Sequence, residues 1–197
     1  MSKNLFVFSA ASGAGKTTLM NLVMPNFPNI VYSTSATTRK PRAGEQDGVN
    51  YFFKTEEEFK KMIEQNELAE WNVVHKNYYG TPKFFVEQKL AEGRDVAFDL
   101  DVFGKVNFDK IYPNAIGILI LPPSQTELEK RLRARGTETE ETIKIRMENS
   151  LKEIEFAETK GKYQYTIYND DLETAAVKLS EIIGKYSSFK SSSQSGS

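Results

Sequence analysis

The sequence contains no cysteine and a single histidine, His75, among its 197 residues. A chain without cysteine forms no disulfide and no thiolate metal site, and one histidine is too few for a histidine-based metal centre or catalytic triad. No apolar run approaches the roughly 20 residues that span a bilayer, so we expect no membrane segment. The N-terminal stretch MSKNLFVFSA lacks the apolar core and cleavage site of a signal peptide. We therefore expect a cytoplasmic protein.

The sequence also has no large excess of charge of either sign. The formal net charge is −1, whereas a general nucleic-acid-binding protein carries a broadly basic surface. We therefore expect no nucleic-acid partner, and any anions that bind should do so in local pockets. With 39% hydrophobic and 27% charged residues, the composition is typical of a globular protein, and the length favours one domain.

Short apolar segments alternate with segments of helical composition along most of the chain. The predicted strands are LFVF (5–8), DVAFDLD (95–101), AIGILIL (115–121) and YQYTIY (163–168). Strands that are apolar almost throughout and are separated by helices indicate a parallel sheet covered on both faces. The last predicted helix carries a stripe of apolar residues at helical spacing, which we interpret as a core-facing surface: Leu172, Ala175, Ala176, Leu179, Ile182, Ile183 and Tyr186.

Other segments depart from this alternation. Residues 35–84 are richer in polar, aromatic and turn residues, which suggests an insertion into the main sheet, and the serine-rich segment 189–197 has too little apolar surface to order itself. Helix starts are indicated by three pairs with the spacing of a capping box: Thr55 with Glu58, Ser124 with Glu127, and Thr137 with Glu140.

Residues 9–18, SAASGAGKTT, fit the phosphate-binding pattern G-x-x-x-x-G-K-[ST] except at the first position, where Ala10 replaces glycine. Gly13 and Gly15 allow the backbone to approach a phosphate closely, Lys16 supplies positive charge, and Thr17 supplies a hydroxyl for a metal ion. Ala10 falls at a strand end, where we expect extended or right-handed backbone. The loop should therefore keep its phosphate-binding conformation. The alternative is a strand-to-helix turn that merely needed small residues.

A second anion site is suggested by SATTRKPRAGE (35–45), in which Arg39, Lys40 and Arg42 lie within four residues. Because Pro41 disfavours a helix here, these side chains should fan out from an irregular segment. Arg39 and Arg42 can each donate paired hydrogen bonds to a phosphate, and phenol groups can donate further bonds to it. The alternative is a solvated basic loop.

Further charged residues lie at the end of a predicted strand and on two predicted helices. Asp99 and Asp101 follow an apolar strand, at the edge where open α/β sheets bind ligands. Arg131 and Arg135 lie four residues apart on one helix face, and Arg146 follows in the next helix. Phosphoryl transfer needs positive charge of this kind around the migrating group, although the same arginines would also suit surface ion pairs with nearby glutamates. Asn169 and Asp170 follow the last predicted strand, at a similar position.

Taken in order after the phosphate loop, six segments resemble guanylate kinases: SATTRKPRAGEQDGVNYFF, LAEWNVVHKNYYGTPK, VAFDLDVFG, ILPPS, RLRARGTETEE and IYNDD. The similarity covers residues 4–186. It implies an α/β P-loop NTPase fold of three layers, with a five-stranded parallel sheet, a GMP-binding insertion with its own small sheet, and a helical lid. The implied boundaries are a single domain over 1–188, with core segments 1–34, 85–126 and 157–188, an insertion over 35–84, and a lid over 127–156.

The resemblance also implies roles for individual residues. The ATP-binding set is Ser12, Gly13, Ala14, Gly15, Lys16, Thr17, Thr18, Asn169 and Asp170. The acceptor-binding set is Ser35, Arg39, Arg42, Glu45, Tyr51, Glu70, Tyr79, Thr81, Asp99 and Asp101. The catalytic set is Lys16, Arg39, Arg131, Arg135 and Arg146, and the implied magnesium site uses Thr17 and Asp99. Where most family members have Gly and Pro, this chain has Ala10 and Ala11, which removes no phosphate ligand.

The function implied is the ATP- and Mg²⁺-dependent phosphorylation of GMP, and of dGMP, to the diphosphate, by a monomer or homodimer in purine metabolism. The chemistry of the base pocket agrees, because guanine presents two N–H donors that the Glu70 carboxylate can accept and an O6 acceptor that the Ser35 hydroxyl can satisfy. Two alternatives stand beside it: a guanylate-kinase-like module that binds phosphorylated peptides, and a kinase for another nucleoside monophosphate.

Overall fold

The computed structural model describes residues 3–74, 76–134 and 139–187. Several residues singled out above lie outside these ranges, namely His75, Arg135, Thr137 and the segment 189–197. The described residues form two sheets and a set of helices in an α/β arrangement. None of the helices within the described ranges is long and apolar enough to cross a membrane.

The strands alternate with helices along most of the chain. The described strands are β1 (Leu5–Ala10), β2 (Ile30–Tyr32), β3 (Ala36–Thr37), β4 (Phe52–Phe53), β5 (Leu68–Val74), β6 (Asn77–Pro82), β7 (Asp95–Asp99), β8 (Ile116–Leu121) and β9 (Tyr165–Tyr168). The described α-helices are α1 (Lys16–Val23), α2 (Glu56–Glu64), α3 (Lys83–Ala91), α4 (Val102–Ile111), α5 (Gln125–Arg133), α6 (Glu140–Lys160) and α7 (Leu172–Tyr186). A short 3₁₀ turn, Met24–Asn26, follows α1.

The main sheet has the strand order β2-β7-β1-β8-β9, and every pairing in it is parallel. The predicted α/β fold with a five-stranded parallel sheet is therefore confirmed. Side chains of β1 alternate between the two faces, so that Phe6 and Phe8 pack with α1 and α7 while Val7 packs with Phe98 and Phe108 on the α3 and α4 side. This alternation makes β1 the centre of a three-layer core.

The predicted apolar stripe on the last helix is confirmed. Ala175, Leu179, Ile182 and Ile183 are buried in the core cluster that also contains Phe6 and Phe8, with Leu172, Ala176 and Tyr186 packed at its margin. Because α7 covers one face of the main sheet through these residues, its apolar face serves to pack the core.

The second sheet has the order β4-β3-β6-β5 and contains both parallel and antiparallel pairs. Its described strands all fall within residues 35–84, the segment predicted to be an insertion. Helix α2 covers it through Phe59 and Met62, which pack with Ala36 and Leu68. This sheet brings Ser35 and Thr81 to the edge of the main sheet, beside the ends of β2 and β7.

Two of the three predicted helix caps are present. The Thr55 side chain accepts from the Glu58 amide, and the Glu58 carboxylate accepts from the Thr55 amide, which completes a capping box. The Ser124 side chain accepts from the Glu127 amide, but the Glu127 carboxylate turns away to pair with Arg131. The second cap is therefore only half of the predicted box.

The third prediction, that Thr137 begins the following helix, is wrong. Helix α6 begins at Glu140, and its N-cap is Thr139, whose hydroxyl accepts from the Thr142 amide at 3.3 Å. The sequence offers two threonines two residues apart, and capping-box spacing favours Thr137, which has a glutamate three residues later, over Thr139, which has Thr142 there. The hydroxyl of Thr139 meets the same need of the helix terminus without a reciprocal carboxylate.

Candidate active site

The segment 9–18 forms a loop between the end of β1 and the start of α1. Ala10 is the last residue of β1 and pairs with Ile120 in the parallel ladder, as expected for an extended residue. Among the described non-glycine residues, only Asn66 and Lys76 have a positive φ. Position 10 therefore does not require a glycine, and the substitution leaves the backbone of the loop unstrained.

The two glycines inside the loop have conformations and neighbours that exclude a side chain. Gly13 and Gly15 both have φ of 89°, in the left-handed region. A Cβ at Gly13 would lie 2.9 Å from Leu128, and a Cβ at Gly15 would lie 2.4 Å from the Asn169 amide nitrogen. The loop is thus enclosed by α5 on one side and by the end of β9 on the other.

The loop borders a cavity of about 390 Å³. Its lining includes Ser12, Gly13, Gly15, Lys16, Thr17 and Thr18 from the loop and the first turn of α1, together with Asp99, Asp101 and Glu153. Lys16 and Asp99 form an ion pair across it, and the Asp99 side chain is half exposed. A helix N-terminus, loop amides and a lysine in one cavity form an anion site of the kind that binds polyphosphates.

Magnesium is implied by the resemblance described above, and the oxygen donors needed for it lie on this cavity. Thr17 provides a hydroxyl and Asp99 a carboxylate, both hard oxygen ligands. Within the described ranges, no group of three or more His, Cys, Asp or Glu side chains forms a metal cluster. Magnesium at nucleotide sites is usually held by one or two protein oxygens, the phosphates and water, so this donor set fits the ion.

Of the three predicted lid arginines, Arg146 contacts the loop directly and Arg131 contacts Asn169 beside it. Arg146 donates from Nη2 to the Ser12 hydroxyl at 2.7 Å. Arg131 donates from Nη2 to the Asn169 carbonyl at 2.9 Å and pairs with Glu127. The third, Arg135, lies outside the described residues. The two guanidinium groups therefore approach the phosphate loop from different helices.

Asn169 and Asp170 differ in their surroundings. Asn169 is buried, and its side-chain amide donates to the Ala14 carbonyl at 2.9 Å. Asp170 follows it on the exposed surface. Asn169 thus holds the back of the phosphate loop, a position that the sequence pattern did not indicate.

A separate cluster of basic and phenolic groups forms where β3, β4 and β6 meet. The Arg39 guanidinium lies 5.3 Å from the ring centre of Tyr51, whose ring centre is 6.1 Å from that of Tyr79. Glu45 holds Arg39 through two bonds of 2.8 and 3.0 Å and also accepts from the Arg42 amide at 2.7 Å. Hydrogen bonding from Arg39 lowers the pKa of Glu45 to about 2, and bonding to Glu45 raises the pKa of Arg39.

This second cluster joins a cavity of about 180 Å³ between the two sheets. Its lining includes Ser35, Tyr51, Thr81 and Asp99 from the predicted acceptor site. Five further lining residues were not predicted as site residues: Tyr32, Ser33, Asn50, Phe98 and Leu100. They flank the predicted residues closely in sequence, but no pattern of spacing marks them.

Glu70, only 8% exposed, lies next to Thr81 of this lining. Its Oε1 accepts from the Thr81 hydroxyl at 2.7 Å, and its Oε2 approaches Gly104, where a Cβ would lie 3.1 Å away. Burial raises the pKa of Glu70 to about 7, and the charge of Asp101 adds to the rise. A buried carboxylate with one unbonded oxygen can accept paired N–H donors from a ligand.

Asp101 has structural partners of its own. Its Oδ1 accepts from the Gly104 amide at 2.6 Å and caps α4, and its Oδ2 accepts from the Asn72 side chain at 3.1 Å. Asn72 therefore connects β5 of the small sheet to the first turn of α4. The sequence analysis assigned Asp101 to the acceptor site but did not identify Asn72.

Comparisons with known proteins fit this geometry. The sequence profile of a family described as "Guanylate kinase" matches residues 2–186. Among curated relatives, guanylate kinase from Caldanaerobacter subterraneus is 46% identical over 91% of this chain and 85% of its own, and the enzyme from Desulfitobacterium hafniense is 42% identical over 91% and 88%. The crystal structure of guanylate kinase from Anaplasma phagocytophilum aligns with a TM-score of 0.68 and 28% identity, covering 95% of this chain and 88% of that one.

Proposed function

We propose that this chain, which belongs to the guanylate kinase family, transfers the γ-phosphoryl group of ATP to GMP, and also to dGMP, releasing ADP and the diphosphate. In this role it returns GMP to the purine nucleotide pool. ATP occupies the cavity beside the phosphate loop, and GMP occupies the cavity between the two sheets.

One observation carries this proposal. The two cavities, of about 390 and 180 Å³, share a wall at Asp99, with the phosphate loop on one side and Ser35, Tyr51 and Thr81 on the other. A donor polyphosphate in the first cavity and an acceptor phosphate in the second would meet there. Transfer between two phosphates requires this close approach, with the reacting groups in line.

Positive charge in the proposed site is arranged for phosphoryl transfer. Lys16, with the loop amides, holds the polyphosphate from one side, while Arg39 and Arg42 hold the acceptor phosphate from the other. Arg146 at Ser12 and Arg131 at Asn169 add charge near the loop. Since the protein contributes little covalent chemistry to such a reaction, orientation and charge neutralisation are its main contributions. Thr17 and Asp99 would hold magnesium, which would supply further positive charge to the polyphosphate.

Base selection follows from the environment of Glu70. Its carboxylate is buried, and among the described residues it bonds to Thr81 through Oε1 alone, so N1–H and N2–H of guanine would satisfy the remaining acceptor capacity. Adenine presents an acceptor at N1 and a donor at C6, so it would leave the buried carboxylate unpaired. Discrimination by an unpaired buried group is large, on the order of 10⁴-fold in well-formed sites.

A phosphopeptide-binding module is the alternative from another class, because the Arg39 and Tyr51 cluster would also suit a phosphate on a peptide. The intact phosphate loop with Lys16 and Thr17, together with Arg146 on Ser12 and Arg131 on Asn169, favours catalysis, since a peptide-binding module has no need of them.

The test is ADP formation from ATP and Mg²⁺ with GMP, dGMP, AMP, CMP or UMP supplied separately. We expect turnover with the two guanine nucleotides and at most traces with the others. Turnover with AMP comparable to that with GMP would overturn the base assignment. A folded sample with no turnover on any acceptor would favour the peptide-binding alternative.

A further inference from the structure

Helix α6 contacts one residue of the phosphate loop at three points. Arg146 donates to the Ser12 hydroxyl at 2.7 Å, and Ser150 donates to the Ser12 carbonyl at 3.1 Å. The Ser12 amide donates to Oε2 of Glu153 at 3.2 Å. The side chain, the carbonyl and the amide of Ser12 are thus each bonded to α6. Neither Ser150 nor Glu153 was singled out from the sequence.

The three α6 residues lie four and three positions apart, so they share one face of the helix. The following turns of α6 are fixed on the core, because Ala157 is buried with Val102 and Leu121 and Ile154 packs beside them. Ser150 itself is fully buried. Ser12 is therefore held by a part of the helix that is anchored to the main sheet.

We propose that Ser150 and Glu153 are positioning residues that hold the two peptide units flanking Ser12 and thereby preorganise the phosphate loop for ATP. This inference rests on the proposed function, because it assigns the ATP polyphosphate to that loop. Ser150 and Glu153 act through the backbone and touch neither the acceptor nor the transferred group.

Peptide planarity explains how two side chains fix the loop amides. The Ser12 carbonyl and the Gly13 amide belong to one planar unit, so the bond from Ser150 sets the direction of the Gly13 N–H. The Ser12 amide and the Ala11 carbonyl belong to the preceding unit, and that carbonyl accepts from the Ala14 amide at 3.1 Å. Because Gly13 gives the loop unusual backbone freedom, external restraints on both units limit the entropy lost when a phosphate binds.

Glu153 brings a negative charge to a cavity that binds anions, which by itself would weaken ATP binding. Its carboxylate lines the same cavity as Lys16, and burial raises the pKa of Glu153. The hydrogen bond to Ser12 compensates for this unfavourable location. Glutamine retains an acceptor oxygen and removes the charge, whereas alanine removes both. Comparing the two substitutions therefore separates the effect of the hydrogen bond from the effect of the charge.

The experiment titrates ADP with Mg²⁺ into the wild-type protein and four variants by calorimetry. Glu153→Ala should raise the Kd for ADP about tenfold and Ser150→Ala about fivefold, as expected for lost bonds that restrain a binding loop. Glu153→Gln should stay within about threefold of wild type. The matched control is Glu158→Ala, an exposed glutamate five residues further along α6, which should leave the Kd unchanged.

Kinetics provide the second readout. In Glu153→Ala and Ser150→Ala, the KM for ATP should rise while the KM for GMP stays within about twofold, with melting temperatures confirming that the variants fold. Equal rises in both KM values would show a merely structural role and overturn the proposal. So would an unchanged Kd for ADP in Glu153→Ala, or a loss in Glu153→Gln as large as in Glu153→Ala.

The titration also separates this proposal from the proposed function. ADP binding needs no acceptor, so the calorimetric comparison decides the roles of Ser150 and Glu153 even if GMP is not phosphorylated. A wild-type protein that binds ADP and fails to phosphorylate GMP would overturn the function. A wild-type protein that phosphorylates GMP while Glu153→Ala binds ADP normally would overturn only the positioning role.

Discussion

Lys16 and Asp99 form an ion pair across the cavity beside the phosphate loop. The lysine comes from the first turn of α1 and the aspartate from the end of β7, the strand next to β1 in the parallel sheet. Parallel pairing of β1 with β7 brings the two together, because it aligns the ends of both strands at one edge. The strand order thus brings together the proposed polyphosphate site and the proposed metal site.

Replacement of Lys16 tests the loop assignment. Lys16→Ala removes the charge that offsets the developing charge of the transferring phosphates, so kcat/KM for phosphoryl transfer should fall by about 10²-fold or more. The fold should persist, because the Lys16 side chain is not part of a core cluster. Steady-state rates and circular dichroism measure the two effects. A variant that folds and retains wild-type activity would contradict the assignment.

Replacement of Glu70 tests base recognition. Glu70→Gln replaces an acceptor by a donor toward the guanine N–H groups, and the KM for GMP should rise by about tenfold or more while the KM for ATP changes little. Glu67→Gln is a matched control, because Glu67 is an exposed glutamate just before β5. Equal losses for both substrates in Glu70→Gln would argue against a base-reading role.

The raised pKa of Glu70 predicts a pH dependence of GMP binding. Desolvation raises the pKa of this carboxyl from its usual 4.5 to about 7, and the ionised form is the one that accepts from guanine. The KM for GMP should therefore rise as the pH falls from 8 to 6, and more steeply than in Glu70→Gln, where only the GMP phosphate, with a pKa of about 6, still titrates. A pH-independent KM for GMP in the wild-type protein would contradict the prediction.

The same pKa has a consequence for stability. Because the folded-state pKa of Glu70 lies above its unfolded value, the folded protein binds this proton more tightly than the unfolded chain does. Its contribution to the free energy of unfolding is fully present below pH 4.5 and is lost as the pH rises to about 7. The melting temperature of Glu70→Gln relative to wild type should thus increase between pH 5 and pH 8. A constant difference would show that Glu70 titrates normally.

Glu45 offers a test of preorganisation at the acceptor phosphate. Its two bonds to Arg39 and its bond to the Arg42 amide hold the basic turn in one conformation. Glu45→Gln weakens these bonds, so the KM for GMP should rise by several-fold, on the order of one lost charge-assisted bond. The affinity for ADP should be unchanged in a calorimetric titration. A parallel loss of ADP affinity would indicate a wider disturbance of the fold.

Much of the fold is predictable from local pattern. The strands at 5–8, 95–101, 115–121 and 163–168 are all present, with ends shifted by one or two residues, because each is an apolar run bounded by turn residues. The strand Ile30–Tyr32 was not located, since three residues are too few to establish a period. The strand, loop and helix around residues 9–18 could be predicted, because the phosphate-binding pattern places residue types at fixed spacing within one segment.

The site was less predictable where its contacts join distant segments. Ser12 and Glu153 are 141 residues apart, and Asn169 is 155 residues from Ala14. The spacing of Arg146, Ser150 and Glu153 does mark one face of a helix, but nothing local shows that this face meets the phosphate loop. Such contacts depend on how α6 packs against the sheet and on how β9 pairs with β8 within it.

The most direct test of the central claim is phosphorus NMR of a mixture of ATP, GMP, Mg²⁺ and the wild-type protein. If the two cavities hold donor and acceptor as proposed, GDP and ADP should appear in equal amounts, and ATP without GMP should remain largely intact. ADP formation with inorganic phosphate and without GDP would contradict transfer to GMP. A folded, ADP-binding sample that forms no GDP would contradict it equally.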